Sequence, residues 1–394
     1  MFEKSIKCSG CGREYPFSKK IFRCERCEES LEVTYDYPKL RKILTRKKLD
    51  SRPFSHSRYL ELFPVKNILS IGEGGTPLIR SKNLERRHKL GFRVWFKLEM
   101  QNPTGSFKDR GSSVEVAKAL EKGAKSVVCA STGNMGASVS AYSGISDLPC
   151  YIFTPEDAAD TKLKQILAHG AKVYQMKGDY TVAAKLVERA SKELGHYLLG
   201  DYLFRREGTK SVGFEIADQL PNVDYVSCPV GNGTLISAIW KAFKEFKELR
   251  LIKKTPKMIG IQAENCNPIT KAFKAKSHIE PVCGRTVAVA MECGEPLDGT
   301  RAYNSISESE GFAEDVTDDE ILKARELLAR REGIFAEPAG AASFAGILKS
   351  KYLIKKDSDV VCVVTGHGLK TPRTDVPGKV HKIGAKPDLK SLFR

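Results

Sequence analysis

The sequence predicts an α/β protein with two open parallel-sheet αβα domains, preceded by a small cysteine-stapled module. Three observations carry that prediction. Short apolar runs alternate with amphipathic helical stretches over most of the chain, the pattern of parallel sheets covered on both faces. The chain has 394 residues, 41% of them apolar. At roughly 150 residues per domain that is enough for two or three cores. Four of its eleven cysteines are gathered as Cys8-x2-Cys11 and Cys24-x2-Cys27.

The paired CxxC turns each offer two thiolates to one tetrahedral ion, so residues 1–36 are expected to be a zinc-ribbon-like module, a lost metal or an iron site of the same geometry being the alternatives. So short a unit needs such a staple. The other seven cysteines are scattered in strand-like runs and predict buried free thiols in a reducing compartment. No stretch approaches the ~18 apolar residues of a membrane span. The first residues carry no apolar secretory core, so a cytoplasmic location is expected.

After a glycine-rich turn, Ile71-Gly-Glu-Gly-Gly-Thr-Pro-Leu78, the elements alternate. Strands are expected at 92–100, 126–130, 150–154, 171–176, 223–230, 258–263 and 360–365. Helices are expected at 106–121, 135–143, 157–168, 180–194, 208–220, 234–249, 318–331 and 338–348. In such sheets ligands bind at the carboxyl ends of the strands.

The net charge of +17 invites a nucleic-acid reading. It is concentrated, however. Residues 39–52 hold seven Lys/Arg against Asp50, a net of +6, and residues 370–394 hold seven against Asp375 and Asp388, a net of +5. Arms docked on acidic surface explain this without nucleic acid. The ribbon does not interleave aromatics and cations as a base-stacking platform would.

Four strand-to-helix turns are chemically unusual. In Asn102-Pro-Thr-Gly-Ser-Phe-Lys108-Asp-Arg-Gly111, Ser106 and Asp109 have the spacing of a capping pair, which puts Lys108 in the first helical turn. A cation there opposes the positive end of the helix dipole, which favours the neutral amine that a Schiff-base nucleophile needs. A lysine facing solvent is the alternative. Ser131-Thr-Gly-Asn134-Met-Gly136 can present N–H groups and an amide to an anion or a ring oxygen. The glycines of Pro229-Val-Gly231-Asn-Gly-Thr234 let backbone approach a phosphate at a helix start. That loop has neither the Walker nor the dinucleotide pattern, which disfavours ATP and NAD. Val364-Thr365-Gly-His367-Gly368 puts a hydroxyl at the end of the last strand, with His367 read as a turn residue.

The series SFKDRG, STGN, VGNGT and VVTGHG, in that order and spacing, resembles the pyridoxal-phosphate enzymes of fold type II, the tryptophan-synthase β fold. Within them, NPTGSFKDRG and EGGTPL are most similar to threonine synthase, and the ribbon resembles that of archaeal-type members. The resemblance runs from about Gly72 to Pro372. It implies that Lys108 holds pyridoxal 5'-phosphate as a Schiff base and shuttles protons. It implies that Asn134 bonds the ring 3-oxygen, and that N–H groups of Gly231, Asn232, Gly233, Thr234 and Leu235 cradle the cofactor phosphate. Thr365 would sit by the ring nitrogen, where a hydroxyl tempers the electron sink. The implied substrate is O-phosphohomoserine, a dianion needing a cationic subsite. Arg205 and Lys210 align with the segment that supplies one, and Ser131 and Thr132 would add hydroxyls.

Met135, Leu235 and residues 200–204 depart from the family pattern on the substrate side. Threonine or serine dehydration, and β-replacement on O-phosphoserine as in cysteate synthase, are therefore the alternative reactions. A nucleic-acid-binding ribbon protein with lost catalysis is the alternative of another class. Glu337 is expected near the cofactor or as a helix cap. The expected domains are the ribbon (1–36), a basic linker (37–58), a large cofactor domain (59–110 and 215–380), a small mobile domain (111–214) and a basic tail (381–394). A homodimer is implied by resemblance alone.

Overall fold

The four N-terminal cysteines sit on an antiparallel sheet ordered β2-β1-β3, with β1 at Glu3–Cys8, β2 at Glu14–Pro16 and β3 at Leu31–Tyr35. The protein is seen here as a computed structural model that describes residues 2–131, 133–156, 160–178, 180–282 and 284–371. The predicted tail at 381–394 lies outside them.

The expected linker is instead a pair of docked helical turns, Tyr37–Ile43 and Arg46–Asp50, capped by Asp36 and Thr45. Its cations meet acidic groups of the body: Arg46 lies 2.6 Å from Asp218, and Arg41 2.8 Å from Glu248. Most cations of the first basic arm, Lys39, Arg41, Arg46, Lys48 and Arg52, are thus paired within the protein.

Among the described residues ten further strands form two sheets. They are β4 (Leu78–Arg80), β5 (Arg93–Lys97), β6 (Val127–Ala130), β7 (Cys150–Pro155), β8 (Lys172–Met176), β9 (Tyr197–Leu199), β10 (Tyr225–Pro229), β11 (Lys257–Ala263), β12 (Phe312–Val316) and β13 (Asp359–Val363). The larger sheet runs β12-β11-β10-β13-β5-β4, parallel except for the β4 edge. The smaller runs β8-β7-β6-β9, all parallel. Helices between the strands cover them, as apolar runs such as Val360-Val-Cys-Val363, buried throughout, require.

The helix expected at 208–220 is two helices, Leu203–Thr209 and Ser211–Gln219, meeting at Lys210. Its first half carries Arg205, Arg206 and Glu207, all buried and ion-paired, so apolar periodicity could not mark it.

A buried ionic cluster anchors the helix that bears Lys108. Arg110 pairs with Glu99 and Glu215, each at 2.6 Å, and Glu215 also pairs with Lys97 at 2.6 Å. The glycine-rich turn closes on the same carboxylate, since the Gly75 N–H donates to Glu215 at 2.8 Å. Burying such charges is costly unless every one is paired, and here all are.

Candidate active site

Lys108 is the first residue of the Lys108–Glu121 helix, as expected. The capping pair is not formed. Asp109 instead accepts from the Thr104 N–H and hydroxyl at 2.7 and 2.6 Å, which fixes the NPTG turn rather than the helix start. The Lys108 ammonium faces a cavity walled by the turns that follow β6, β10 and β13, so both sheets contribute.

Across that cavity lies the loop from Gly231 to Leu235, opening the Thr234–Glu248 helix. Among the described residues its five N–H groups donate to no protein acceptor. Gly233 has φ +93°, and a Cβ there would lie 2.6 Å from the Asp298 carbonyl oxygen, so only glycine fits this turn. Five unspent donors at a helix N-terminus suit a phosphate dianion. The side chains of this loop face elsewhere: Asn232 Nδ2 donates to Asp201 at 2.8 Å, and the Thr234 hydroxyl donates to Asp298 at 2.8 Å.

Asn134 lines the same cavity, donating one N–H to Glu337 Oε1 at 2.7 Å. Its second N–H remains for a ring oxygen, and its own Oδ1 is buried without a partner. Glu337 begins the Pro338–Lys349 helix but makes no side-chain cap, so the capping alternative is overturned in favour of the cavity. Thr365 lines the wall as expected. Among the described residues the His367 ring accepts from the Leu369 N–H at 3.1 Å, as a turn residue does. An amine, an amide, a phosphate cradle and a hydroxyl thus converge, and the residues fit pyridoxal phosphate.

Ser131 is in the cavity wall, its oxygen accepting from the N–H groups of Gly133 and Gly136 at 3.1 and 2.7 Å. Thr132 lies outside the described residues. The two proposed substrate cations are not brought to the cavity. Lys210 is fully buried between Glu207 (2.7 Å) and Glu245 (2.9 Å), beneath the ring of Tyr35. It secures the ribbon to the body. Arg205 is buried behind the Lys108 helix, paired with Glu115 and donating to the Lys108 carbonyl oxygen at 3.2 Å. Arg205 within its helix and Lys210 at the junction after it both turn inward, which spacing alone does not reveal.

The cavity has another cation that the sequence reading missed, Lys162 of the Asp160–Ala168 helix. It is 3% exposed, and among the described residues it makes no hydrogen bond or ion pair. Its stem packs on Gly133, where a Cβ would come within 2.1 Å of Lys162 Cδ. The glycine of STGN therefore signals Lys162, but only in three dimensions. Asp201 was also missed. Its Oδ1 is 3.8 Å from Lys108 Nζ. Burial works against its charge, but Lys108 and then Arg205 outweigh burial and hold the carboxyl below its ordinary range.

Residues 69–366 match the model of the family described as pyridoxal-phosphate dependent enzymes. Threonine synthase of Methanocaldococcus jannaschii is 44% identical over 98% of each chain. That of Methanosarcina acetivorans is 44% identical over 94% of this chain and 93% of its own. The chain belongs to the threonine synthase family. Maize serine racemase (TM-score 0.66, 20% identity, 81% of this chain and 90% of that one) shares its fold. So does tomato threonine deaminase isoform 2 (0.65, 23%, 74% and 83%). The fold is that of the type II pyridoxal-phosphate enzymes, and the cofactor is pyridoxal phosphate.

The ribbon also fits its ion. The sulfurs of Cys8, Cys11, Cys24 and Cys27 all lie within 4.8 Å of one another. Cys8 and Cys27 are 3.5 Å apart, and Cys11 and Cys24 3.7 Å, close to the ~3.8 Å edge of a tetrahedron with zinc–sulfur bonds of about 2.3 Å. The ribbon precedes residues 69–366, the stretch that the family model matches. No helix among the described residues is long and apolar enough to cross a membrane.

Proposed function

We propose that this chain is a pyridoxal-phosphate-dependent threonine synthase, converting O-phospho-L-homoserine and water to L-threonine and phosphate by γ-elimination and β-addition. The reading is carried by the match to threonine synthases along 98% of the chain, in which Lys108 opposes the phosphate loop across one cavity.

Bound through Lys108, pyridoxal phosphate supplies an electron sink for charge developing on the substrate carbons. The chain's own groups do the rest. The N–H groups of 231–235 hold the cofactor phosphate, and Asn134 orients the ring through its spare N–H. The uncharged Thr365 hydroxyl serves the ring nitrogen. Lys108 Nζ would hold the cofactor and, as a free amine, would remove and return protons along the substrate chain. The second phosphate, on the substrate, needs its own cation. Lys162 and the Ser131 hydroxyl supply that subsite in place of Arg205 and Lys210. Lys162 Nζ steadies the phosphate as its bond to Cγ breaks, and the water that adds at Cβ yields its proton to Lys108 Nζ.

The large cofactor domain and the small domain expected from the sequence, with 111–214 closing over substrate to exclude water, belong to this reading, as do a homodimer and a cytoplasmic location. Light scattering of the holoprotein tests the dimer. The reaction is tested by measuring phosphate and ammonia release with O-phosphohomoserine, O-phosphoserine and threonine. Phosphate and threonine formed from O-phosphohomoserine support it. Ammonia from threonine without phosphate release from O-phosphohomoserine rejects it for a dehydratase.

A further inference from the structure

The ribbon reaches the phosphate loop through one side chain. Asp298 is wholly buried and starts the Gly299–Glu308 helix, yet its carboxylate makes no cap there. Oδ1 accepts instead from the Ser30 hydroxyl at 2.6 Å and from Arg206 Nη1 at 2.5 Å. Oδ2 accepts from the Thr234 hydroxyl at 2.8 Å. The Asp298 N–H donates to the Asn232 carbonyl at 3.0 Å, and its own carbonyl packs against Gly233. One residue thus touches three consecutive positions of the cofactor-phosphate loop on one side and the ribbon on the other.

The ribbon end of this link is set by the cysteine knuckles. Ser30 stands three residues after Cys27, and its carbonyl accepts from the Ser9 N–H at 3.0 Å, beside Cys8. The neighbouring Glu29 carbonyl accepts from the Cys24 N–H at 3.0 Å. Arg206 adds a second tether, donating to the Leu31 carbonyl at the start of β3. An ion closing the four thiolates would therefore fix the backbone that presents Ser30 and Leu31.

We propose that Asp298 is a positioning residue for the cofactor-phosphate loop, held in register by the metal-closed ribbon, so that the ribbon is a working part of the cofactor site. The proposal rests on the assignment of residues 231–235 to the cofactor phosphate. It gives the ribbon a role that a ribbon merely appended to the chain would not have. The loop N–H groups must converge on a small anion, and a slight rotation of 232–234 would spread them. Asp298 opposes that rotation through both its backbone and its carboxylate.

The test is the dissociation constant for pyridoxal phosphate, from absorbance titration of the resolved full-length protein, with the 31P resonance of bound cofactor as a second readout. Ser30→Ala removes a hydroxyl that reaches the Asp298 carboxylate and the Leu297 carbonyl, and it changes no residue lining the cavity. It is expected to weaken cofactor binding about tenfold and to leave kcat at saturating cofactor within about twofold. Asp298→Asn keeps the shape, loses the charge, and is expected to weaken binding more. Each variant shifts the phosphorus resonance. Zinc removal by chelator is expected to speed cofactor release from wild type and to add little in Asp298→Asn, because the link is already broken. Glu32→Gln, which neutralises the carboxylate facing Arg301 at the same interface, serves as the control and leaves binding unchanged. If both variants and the metal-stripped protein bind cofactor within twofold of wild type with an unmoved resonance, the coupling is refuted. A wild-type protein that takes up no cofactor refutes the underlying assignment instead.

Discussion

Replacing Lys162 separates substrate recognition from folding more cleanly than any other change in the cavity. Lys162→Met keeps an unbranched stem against Gly133, where the packing leaves no room for a different shape, and removes only the ammonium. That ammonium has no ion-pair partner among the described residues, so its loss strands no carboxylate. Thermal stability should hold within about 1 kcal/mol, since an unpaired buried charge contributes little or negatively. The substrate phosphate, by contrast, loses its cation. Truncating one partner of a buried, hydrogen-bonded charge pair costs about 2–5 kcal/mol. The lower half of that range applies, because the Ser131 hydroxyl remains in the cavity wall as a donor to the phosphate. About 2–3 kcal/mol corresponds to a fall of roughly 30- to 150-fold in kcat/KM for O-phosphohomoserine. Phosphate-release kinetics alongside thermal melting measure both quantities, with cofactor absorbance as the check that the site is intact. Lys162→Arg should recover part of the loss. A Lys162→Met enzyme within threefold of wild type, or one that melts several degrees lower with parallel loss of cofactor, would refute the subsite.

Gly233→Ala should weaken pyridoxal phosphate without unfolding the protein. A side chain at φ +93° costs about 1–2 kcal/mol and would press on the Asp298 carbonyl; cofactor titration reads the loss. Arg110→Ala leaves Glu99 buried without its cation and Glu215 with Lys97 alone and should cost about 3–5 kcal/mol, visible as a lower melting temperature. At Glu207 burial opposes the charge, but Lys210 and Lys241 outweigh it and hold the carboxyl down to about 2. Its contribution is therefore complete above its ordinary value near 4.5 and is lost as pH falls from there toward 2. Because Tyr35 also donates to Glu207, at 2.7 Å, acid should loosen the ribbon, followed by near-ultraviolet circular dichroism. Glu207→Gln should already be loosened at neutral pH and respond less to acid.

What the sequence determined is what local chemistry specifies. Lys108 at a helix start, the glycines of the phosphate loop and the two CxxC knuckles each follow from a few adjacent residues. The apolar run at 360–363 likewise announces a strand covered on both faces, and the structure places it between β10 and β5. Elements whose burial is not apolar stayed hidden. β12 reads Phe-Ala-Glu-Asp-Val, and its Glu314 is matched by Lys274 from another element. The helix carrying Arg205 and Arg206 buries charges whose partners lie far away in the chain.

The tertiary structure alone decided which cations serve the cavity. Arg205 and Lys210 stand where a motif would put a substrate cation, but helix rotation turns them inward to Glu115, Glu207 and Glu245. Lys162 has no motif of its own, and it reaches the cavity because a glycine 29 positions earlier leaves space for its stem. The direction in which a charged side chain points depends on which distant carboxylate completes its pairing. That is a property of the packed chain, and no run of neighbouring residues encodes it.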